Sequence, residues 1–193
     1  MFVSFEGLDG VGKSTQLVLL GDELGRAGHE VVRCREPGGT ALGEEVRRLV
    51  LEQTEFAVAA RAEALLFAAS RAELLAEVIE PALARGAWVL TDRFADSSIA
   101  YQGAGRGLGP EAVRELQRFA TAGRLPDRTI LLVGPDRRGA ERDRIESEDD
   151  AFHATAGRAF EAIAAAEPDR VRRVDATGEP GAVALRVRAA LGV

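Results

Sequence analysis

The stretch that most constrains this chain is residues 7 to 15, Gly-Leu-Asp-Gly-Val-Gly-Lys-Ser-Thr. Gly7, Gly12, Lys13 and Ser14 satisfy the G-x-x-x-x-G-K-[ST] pattern of a phosphate-binding loop. The pattern carries meaning only between a strand and a helix, and the flanking sequence predicts both. Met1 to Phe5 is short and apolar, as a buried strand is. Thr15 to Gly28 places Leu17, Leu20 and Leu24 at helical spacing. Glycines let the backbone turn tightly enough for successive N–H groups to point into one concavity. The helix N-terminus adds partial positive charge. Leu8, Asp9, Gly10, Val11 and Thr15 complete this cradle. Lys13 is placed to reach the β- and γ-phosphates of a nucleotide, and the Ser14 hydroxyl to hold Mg²⁺. Lys13 is also the only lysine among 25 basic residues. A chain that uses arginine everywhere else keeps lysine where a compact point charge suits the geometry better than a planar fork.

A length of 193 residues suits a single α/β domain, 1–193, with a real core. The formal charge of -6 argues against a general nucleic-acid or membrane-surface binder. Positive contacts to a nucleotide must then be local. Arginines at 71 and 93, and a cluster at 137–144, are available. The one cysteine, Cys34, has no partner for an internal disulfide and reads as an inert core thiol, which suits a reducing cytoplasm. The opening strand runs straight into the phosphate loop, so no signal peptide is expected. No apolar run approaches a membrane span.

Val31 to Cys34 is predicted as a second strand, followed by the turn-rich Arg35-Glu36-Pro37-Gly38-Gly39-Thr40. A long helical segment is expected over 60–85, kinked near Pro81 and ended at Gly86. Within it Phe67 and Arg71, four apart, share a face. Ala87 to Asp92 reads as a buried strand ending in an acid, where such an Asp orients Mg²⁺ or its water. Ser97, Ser98, Tyr101 and Gln102 fall on one helical turn, and the glycines at 103, 105, 107 and 109 read as a flexible stretch. Residues 134 to 148 form the most charged segment and read as a mobile surface segment, by composition a solvated charged face. His29 and His153 are expected at the surface, without a role. Strands alternating with helices imply a parallel sheet covered on both faces.

These residues alone predict a nucleoside triphosphate site with Mg²⁺ and leave its use open between a kinase and a nucleotide-dependent switch. With its only lysine committed at position 13, the chain cannot contain the Asn-Lys-x-Asp motif by which a typical GTPase reads guanine. The extra arginines favour transfer between two nucleotides. The acceptor would be a phosphate monoester, largely dianionic near neutral pH and already a nucleophile, so the lack of a catalytic His is no obstacle.

Phe5-Glu6-Gly7-Leu8-Asp9-Gly10-Val11-Gly12-Lys13-Ser14-Thr15, Arg35-Glu36-Pro37-Gly38-Gly39-Thr40, Asp92-Arg93-Phe94, Ser97-Ser98 and Tyr101-Gln102-Gly103 together resemble the bacterial thymidylate kinase family. Asp143-Arg144-Ile145-Glu146 is similar to its lid motif, and the likeness runs from about residue 2 to 190. It implies a P-loop NTPase three-layer α/β fold, with a five-stranded parallel sheet, helices on both faces and a short arginine-rich lid. It also implies ATP and dTMP as the small-molecule partners, Mg²⁺, and a homodimer. By motif, residues 7 to 14 cradle the ATP phosphates, and Asp9 lies near the dTMP sugar and the metal. Ser14 and Asp92 hold that metal. Arg93 grips the dTMP phosphate. Phe67 stacks on thymine, Arg71 contacts it, and Ser98 and Gln102 face its edge. Tyr101 packs where a 2′-hydroxyl would sit. Glu36, Pro37 and Ser97 complete the acceptor site, and the Asp175-Ala176 loop borders adenine. Another nucleoside monophosphate or deoxynucleoside kinase would share the loop and differ at Phe67, Arg71, Ser98 and Tyr101.

Some members of that family carry an arginine inside the phosphate loop, where this chain has Gly10. The resemblance then puts the catalytic arginines in the lid, with Arg142 and Arg144 foremost and Arg137 and Arg138 behind. Three departures stand out. The lid before Asp143 is several residues shorter than the family's usual length. The strand Leu131-Leu132-Val133-Gly134 lacks an aspartate, and Ala151 to Ala156 lacks arginines.

Overall fold

A computed structural model describes residues 1–52, 57–135 and 143–193. Five parallel strands form one sheet: β1 (Phe2–Glu6), β2 (Val31–Arg35), β3 (Trp88–Asp92), β4 (Arg128–Val133) and β5 (Val171–Asp175), in the order β2-β3-β1-β4-β5. Every position of the central strands β1, β3 and β4 is buried or half-buried because both faces of the sheet are covered. Val3, Phe5, Leu90, Ile130 and Leu132 face one layer, made by α1 (Lys13–Arg26) and α8 (Pro180–Leu191). Phe2 and Val89 face the other side, against α4 (Glu80–Ala84) and the segment before it. Leu131 and Val171 meet the cluster of α2 (Ala41–Leu51), α3 (Ala60–Leu74) and α7 (Asp150–Ala166). Each large apolar side chain so enclosed contributes roughly 1.5–3 kcal/mol. This is the five-stranded, two-faced fold that the sequence predicts.

The central strand β1 ends in the phosphate loop. Asp92 ends β3 beside it, and Gly134 follows β4 on its other side. All lie at the carboxyl ends of the strands, where open α/β sheets place their ligand crevices.

The helical segment 60–85 is not one helix. Between α3 and α4, residues Leu75–Ile79 widen into a π-helical turn, and Glu80 N donates to the Leu75 carbonyl five residues back. Pro81 sits in the first turn of α4, where its missing N–H matters least. The glycine stretch after Tyr101 differs from expectation. The short α5 (Ala95–Ser98) runs into a second π-helical segment, Ile99–Gly105, before the turn that leads to α6 (Pro110–Ala120). There Gly105 allows close approach rather than flexibility: a Cβ on it would stand 2.6 Å from the Phe152 ring.

His153 is a second correction, being only 7% exposed. Asp149 caps α7 by accepting from Phe152 N at 2.8 Å. The helix then turns Phe152, Ala156, Phe160 and Ile163 inward, and His153, beside Phe152, goes with them. Cys34 is half-buried, and burial pushes its thiol up to about 12, consistent with an unreactive side chain.

Candidate active site

A cleft of about 370 Å³ opens at the carboxyl end of the sheet. Its floor is the loop between β1 and α1. Gly7 has φ +131°, and a Cβ there would collide with the Leu132 carbonyl oxygen, so only glycine lets the loop pass β4 this closely. Val11 is buried in the apolar cluster under α1, and Leu8 packs against it. These side chains anchor the loop and leave its backbone to face the cleft, which Asp9, Gly10, Gly12, Lys13, Ser14 and Thr15 line. Lys13 Nζ donates to the carbonyls of Gly7 at 3.2 Å and Leu8 at 2.8 Å, and stands 3.9 Å from Asp9 Oδ1. Burial, and then the nearby Arg93 cation, bring its pKa down to about 8. Ser14 Oγ donates to Asp92 Oδ2 at 2.5 Å, joining the start of α1 to the end of β3.

Arg93 is the cationic centre of the cleft. Its φ of +71° is unusual for a residue with a side chain and is held from several sides. Its N–H donates to the Phe5 carbonyl at 3.0 Å, and its carbonyl accepts from Thr91 Oγ1 at 2.9 Å. The guanidinium pairs with Asp9, donates to Gly7 O at 3.1 Å and Ser97 Oγ at 2.9 Å, and lies 5.1 Å over the Tyr101 ring. Tyr101 Oη donates to Asp9 Oδ2 at 3.0 Å. Burial would raise the Asp9 carboxyl, but Arg93 and then Lys13 outweigh it and hold it at about 2. Beneath this group lies Glu6, fully enclosed, accepting from Phe94 N at 2.7 Å and Ser97 Oγ at 2.5 Å. Burial, and then the Asp96 carboxylate, push its pKa up to about 8.

At its other end the cleft is bounded by α3 and the second π-helical segment. Phe67, Arg71, Ser98, Tyr101 and Gln102 line it together with Glu36, Pro37 and Ser97. Arg71 is 1% exposed. Its Nε and Nη2 pair with Glu36, Nη2 also donates to the Phe94 carbonyl at 3.1 Å, and Nη1 donates to Ser98 Oγ at 3.0 Å and to Gln117 Oε1. Every N–H of the guanidinium therefore has a protein acceptor. The partner is Glu36 rather than either acid of its own helical segment, Glu63 or Glu77. Burial raises the Glu36 carboxyl above its usual range, against the pull of Arg71.

The thymidylate kinase family model matches residues 5–186. The chain belongs to the thymidylate kinase family. Thymidylate kinases of Rhizorhabdus wittichii and Bifidobacterium longum are 49% and 51% identical to it, over 98% and 92% of this chain and 96% and 90% of theirs. That of Gloeobacter violaceus is 48% identical, over all of this chain and 95% of the relative. Among solved structures, the Ehrlichia chaffeensis thymidylate kinase superposes with a TM-score of 0.85 at 33% identity, covering 99% of this chain and 98% of that one. The protein is a kinase with the α/β fold of that family.

Several thymidylate kinase residues predicted from sequence fall elsewhere. Arg144 does not line the cleft. Its guanidinium pairs with Glu63 and its Nε donates to the Val50 carbonyl at 2.8 Å. A wholly buried carboxylate needs cations, and Glu63 takes Arg144; its neighbours Asp143, Ile145 and Glu146 face the cleft instead. Arg137, Arg138 and Arg142 lie outside the described residues. Asp175 and Ala176 stand beyond β4, where Ala176 N donates to the Val133 carbonyl at 2.8 Å, outside the cleft lining. Conversely, Arg47 and Leu51 line the cleft and were not anticipated. Gly43, Arg47 and Leu51 recur every four residues beside the buried Val46 and Val50, so an arginine in register with an apolar stripe was the available signal.

Proposed function

We propose that this thymidylate kinase divides the family's reaction, transfer of the γ-phosphoryl group of ATP to dTMP to give dTDP and ADP, between the two ends of one cleft. At the loop end, backbone N–H groups of residues 7–15 cradle the ATP phosphates and Lys13 takes the β- and γ-phosphates. Ser14 and Asp92 hold Mg²⁺. Their donor set fits that ion: one hydroxyl and one carboxylate, both hard oxygens, with no cluster of three or more His, Cys, Asp or Glu side chains among the described residues. Mg²⁺ bound in this way takes its remaining ligands from phosphate and water and neutralises charge on the phosphates.

At the other end, Phe67 stacks on thymine, and Ser98 and Gln102 read its edge. Arg71 supports that edge by holding Glu36 and Ser98 in place, because its own N–H groups are engaged. Pro37 and Ser97 close the walls. Asp9 and Tyr101 face the deoxyribose, and Arg93 grips the acceptor phosphate between them. That phosphate is itself the nucleophile, so these residues act by orientation and charge. Arg142 supplies the lid cation in this reading, and adenine borders Asp175 and Ala176. One domain, 1–193, carries both ends.

The observation that supports this division is that Lys13, Arg93 and Gln102 line the same cleft. The test is ADP release from ATP and Mg²⁺ with each nucleoside monophosphate. Fast turnover with dTMP, weaker with dUMP and little with others is expected. Slow release indifferent to every acceptor would overturn the reading.

A homodimer belongs to the same proposal. Phe119 on α6 is 87% exposed, beside Ala72, Leu75 and Ala76, and such a face favours a partner. Sedimentation is expected to give twice the 20.5 kDa chain mass, and a monomer at micromolar concentration would remove the dimer. No helix among the described residues is long and apolar enough to cross a membrane. The reading places the enzyme in the cytoplasm with its nucleotides, which cell fractionation checks.

A further inference from the structure

Glu63 lies outside the cleft lining, yet four hydrogen bonds converge on it. It sits on α3 one turn before Phe67 and is wholly buried. Gln102 Nε2 donates to its Oε1 at 2.9 Å, and Arg106 donates through Nε and Nη2, each at 3.2 Å. Arg144 Nη2 completes the set. The two arginines are themselves fixed. Arg106 lies 4.8 Å over the Phe152 ring and donates to Glu148 at 2.5 Å, and Arg144 is tied to the Val50 carbonyl. Burial would raise the Glu63 carboxyl, but the bonds from Arg144, Gln102 and Arg106 prevail and hold it below its usual range.

A carboxylate between two guanidiniums accepts hydrogen bonds and donates none. Only the NH₂ end of the Gln102 amide can therefore face it, so the amide orientation is dictated by chemistry. Gln102 Oε1 has no hydrogen-bond partner among the described residues, and Gln102 lines the cleft beside Ser98. A glutamine free to rotate would offer a donor or an acceptor. This one offers an acceptor.

We propose that Glu63 is a positioning residue that locks the Gln102 amide with its carbonyl toward the cleft, so that the base admitted must present a ring N–H. The imide of thymine or uracil satisfies that demand. The corresponding ring nitrogen of cytosine is itself an acceptor and would set two lone pairs against each other. The inference rests on the reading of Gln102 as a contact to the base edge. It adds the residue that sets the sign of that contact. Because thymine and uracil share the imide, Glu63 acts against cytosine and is neutral between those two.

The test compares kcat/KM for dTMP, dUMP and dCMP in the wild type, Glu63→Gln and Gln102→Leu. A neutral amide at position 63 can donate or accept, so Gln102 is released to turn over. In Glu63→Gln the dTMP-to-dCMP ratio is expected to fall by at least about tenfold, while the dTMP-to-dUMP ratio stays within about twofold. The KM for ATP should not move, which general damage to the fold would not spare. Gln102→Leu should lose the same discrimination. If Gln102→Leu loses it and Glu63→Gln keeps it, the role of Glu63 is refuted while the base reading stands. If both variants keep it, the base reading fails and takes the inference with it. Should Glu63→Gln not fold, the wild type decides by nuclear magnetic resonance of the Gln102 side-chain amide, assigned with Gln102→Leu. Its protons should exchange slowly both in the free enzyme and with dTMP bound, because Glu63 holds the NH₂ end in each state. Protons that exchange as freely as those of an exposed glutamine would overturn the proposal.

Discussion

Changing Lys13 to alanine is expected to lower kcat by roughly a thousandfold or more. The chain has no other lysine, and the neighbouring cation, Arg93, is already engaged with Asp9, Gly7 and Ser97. Lys13→Arg should fail nearly as badly, because the Nζ position between the Gly7 and Leu8 carbonyls suits a point charge and crowds a planar fork. The fold should survive Lys13→Ala. A lysine held at about 8 against an ordinary 10.5 is disfavoured as a cation by burial, so the unfolded chain binds more protons between those values. Stability therefore rises with pH across that window in the wild type, and the variant lacks that slope. The same residue sets an alkaline limit on donor binding. Lys13 of the free enzyme is charged below about 8 and neutral above it, so kcat/KM for ATP should fall about tenfold per pH unit beyond that point. Asp9, held at about 2, stays ionised throughout and adds no acid limb of its own near neutral pH. Steady-state kinetics across pH with both variants measures all of this. Near-wild-type turnover in Lys13→Ala would remove the site.

The phosphate-loop end of the cleft was legible in the sequence because its geometry is local. Strand, glycine turn and helix are consecutive, and the residues that face the cleft follow from a few neighbouring dihedral angles. Asp92 was legible for a similar reason: an acid at the end of an apolar strand has one place to go. Phe67 and Arg71 could be put on one face by helical spacing alone, and both line the cleft. What Arg71 pairs with could not be read this way. Glu36 approaches it from a loop after a different strand, whereas the acids of its own helical segment, Glu63 and Glu77, lie eight residues before and six after it, outside the three- or four-residue spacing at which helical side chains meet. Glu63 shows the same limit. Its partners come from the second π-helical segment and the residue that ends it, and from the turn at 144–147 inside the charged segment, and no local pattern brings those together. Arg144 was drawn toward the phosphates by its motif, whereas the cost of burying the Glu63 carboxylate draws it the other way. The misreading of His153 has a simpler cause. Next to Phe152 on a helix rich in alanine, its polarity suggested solvent, but the rings of Tyr101 and Phe160 fix that helix face against the core.

Arg71→Ala is expected to destabilise the protein by about 3–5 kcal/mol, a large share of the roughly 5–15 kcal/mol that a folded domain has. The loss comes mainly from Glu36, whose carboxylate is 5% exposed and pairs with Arg71 through one oxygen while the other, Oε1, has no partner. Without the guanidinium that carboxylate is a buried, uncompensated charge. Part of the loss has a different origin, since Ser98 Oγ, Gln117 Oε1 and the Phe94 carbonyl also lose their donor. Glu36→Gln separates the two contributions. Added to Arg71→Ala, it should restore a large part of the stability, whereas a double variant as unstable as Arg71→Ala alone would place the loss in the neutral hydrogen bonds. The pH dependence gives an independent reading. Burial already raises the Glu36 carboxyl, so the folded state holds its proton to higher pH than the unfolded chain does. Stability from this group therefore falls as pH rises above the unfolded value near 4.5. Removing Arg71 deletes the one charge that opposes the shift, which moves the folded value further up. The deficit of Arg71→Ala should then be largest at pH 8 and shrink toward pH 5, as Glu36 becomes neutral in the folded variant. Urea unfolding of the single and double variants at both pH values measures it, and a deficit independent of pH would mean that Arg71 supports the base end of the cleft through its hydrogen bonds rather than through its charge.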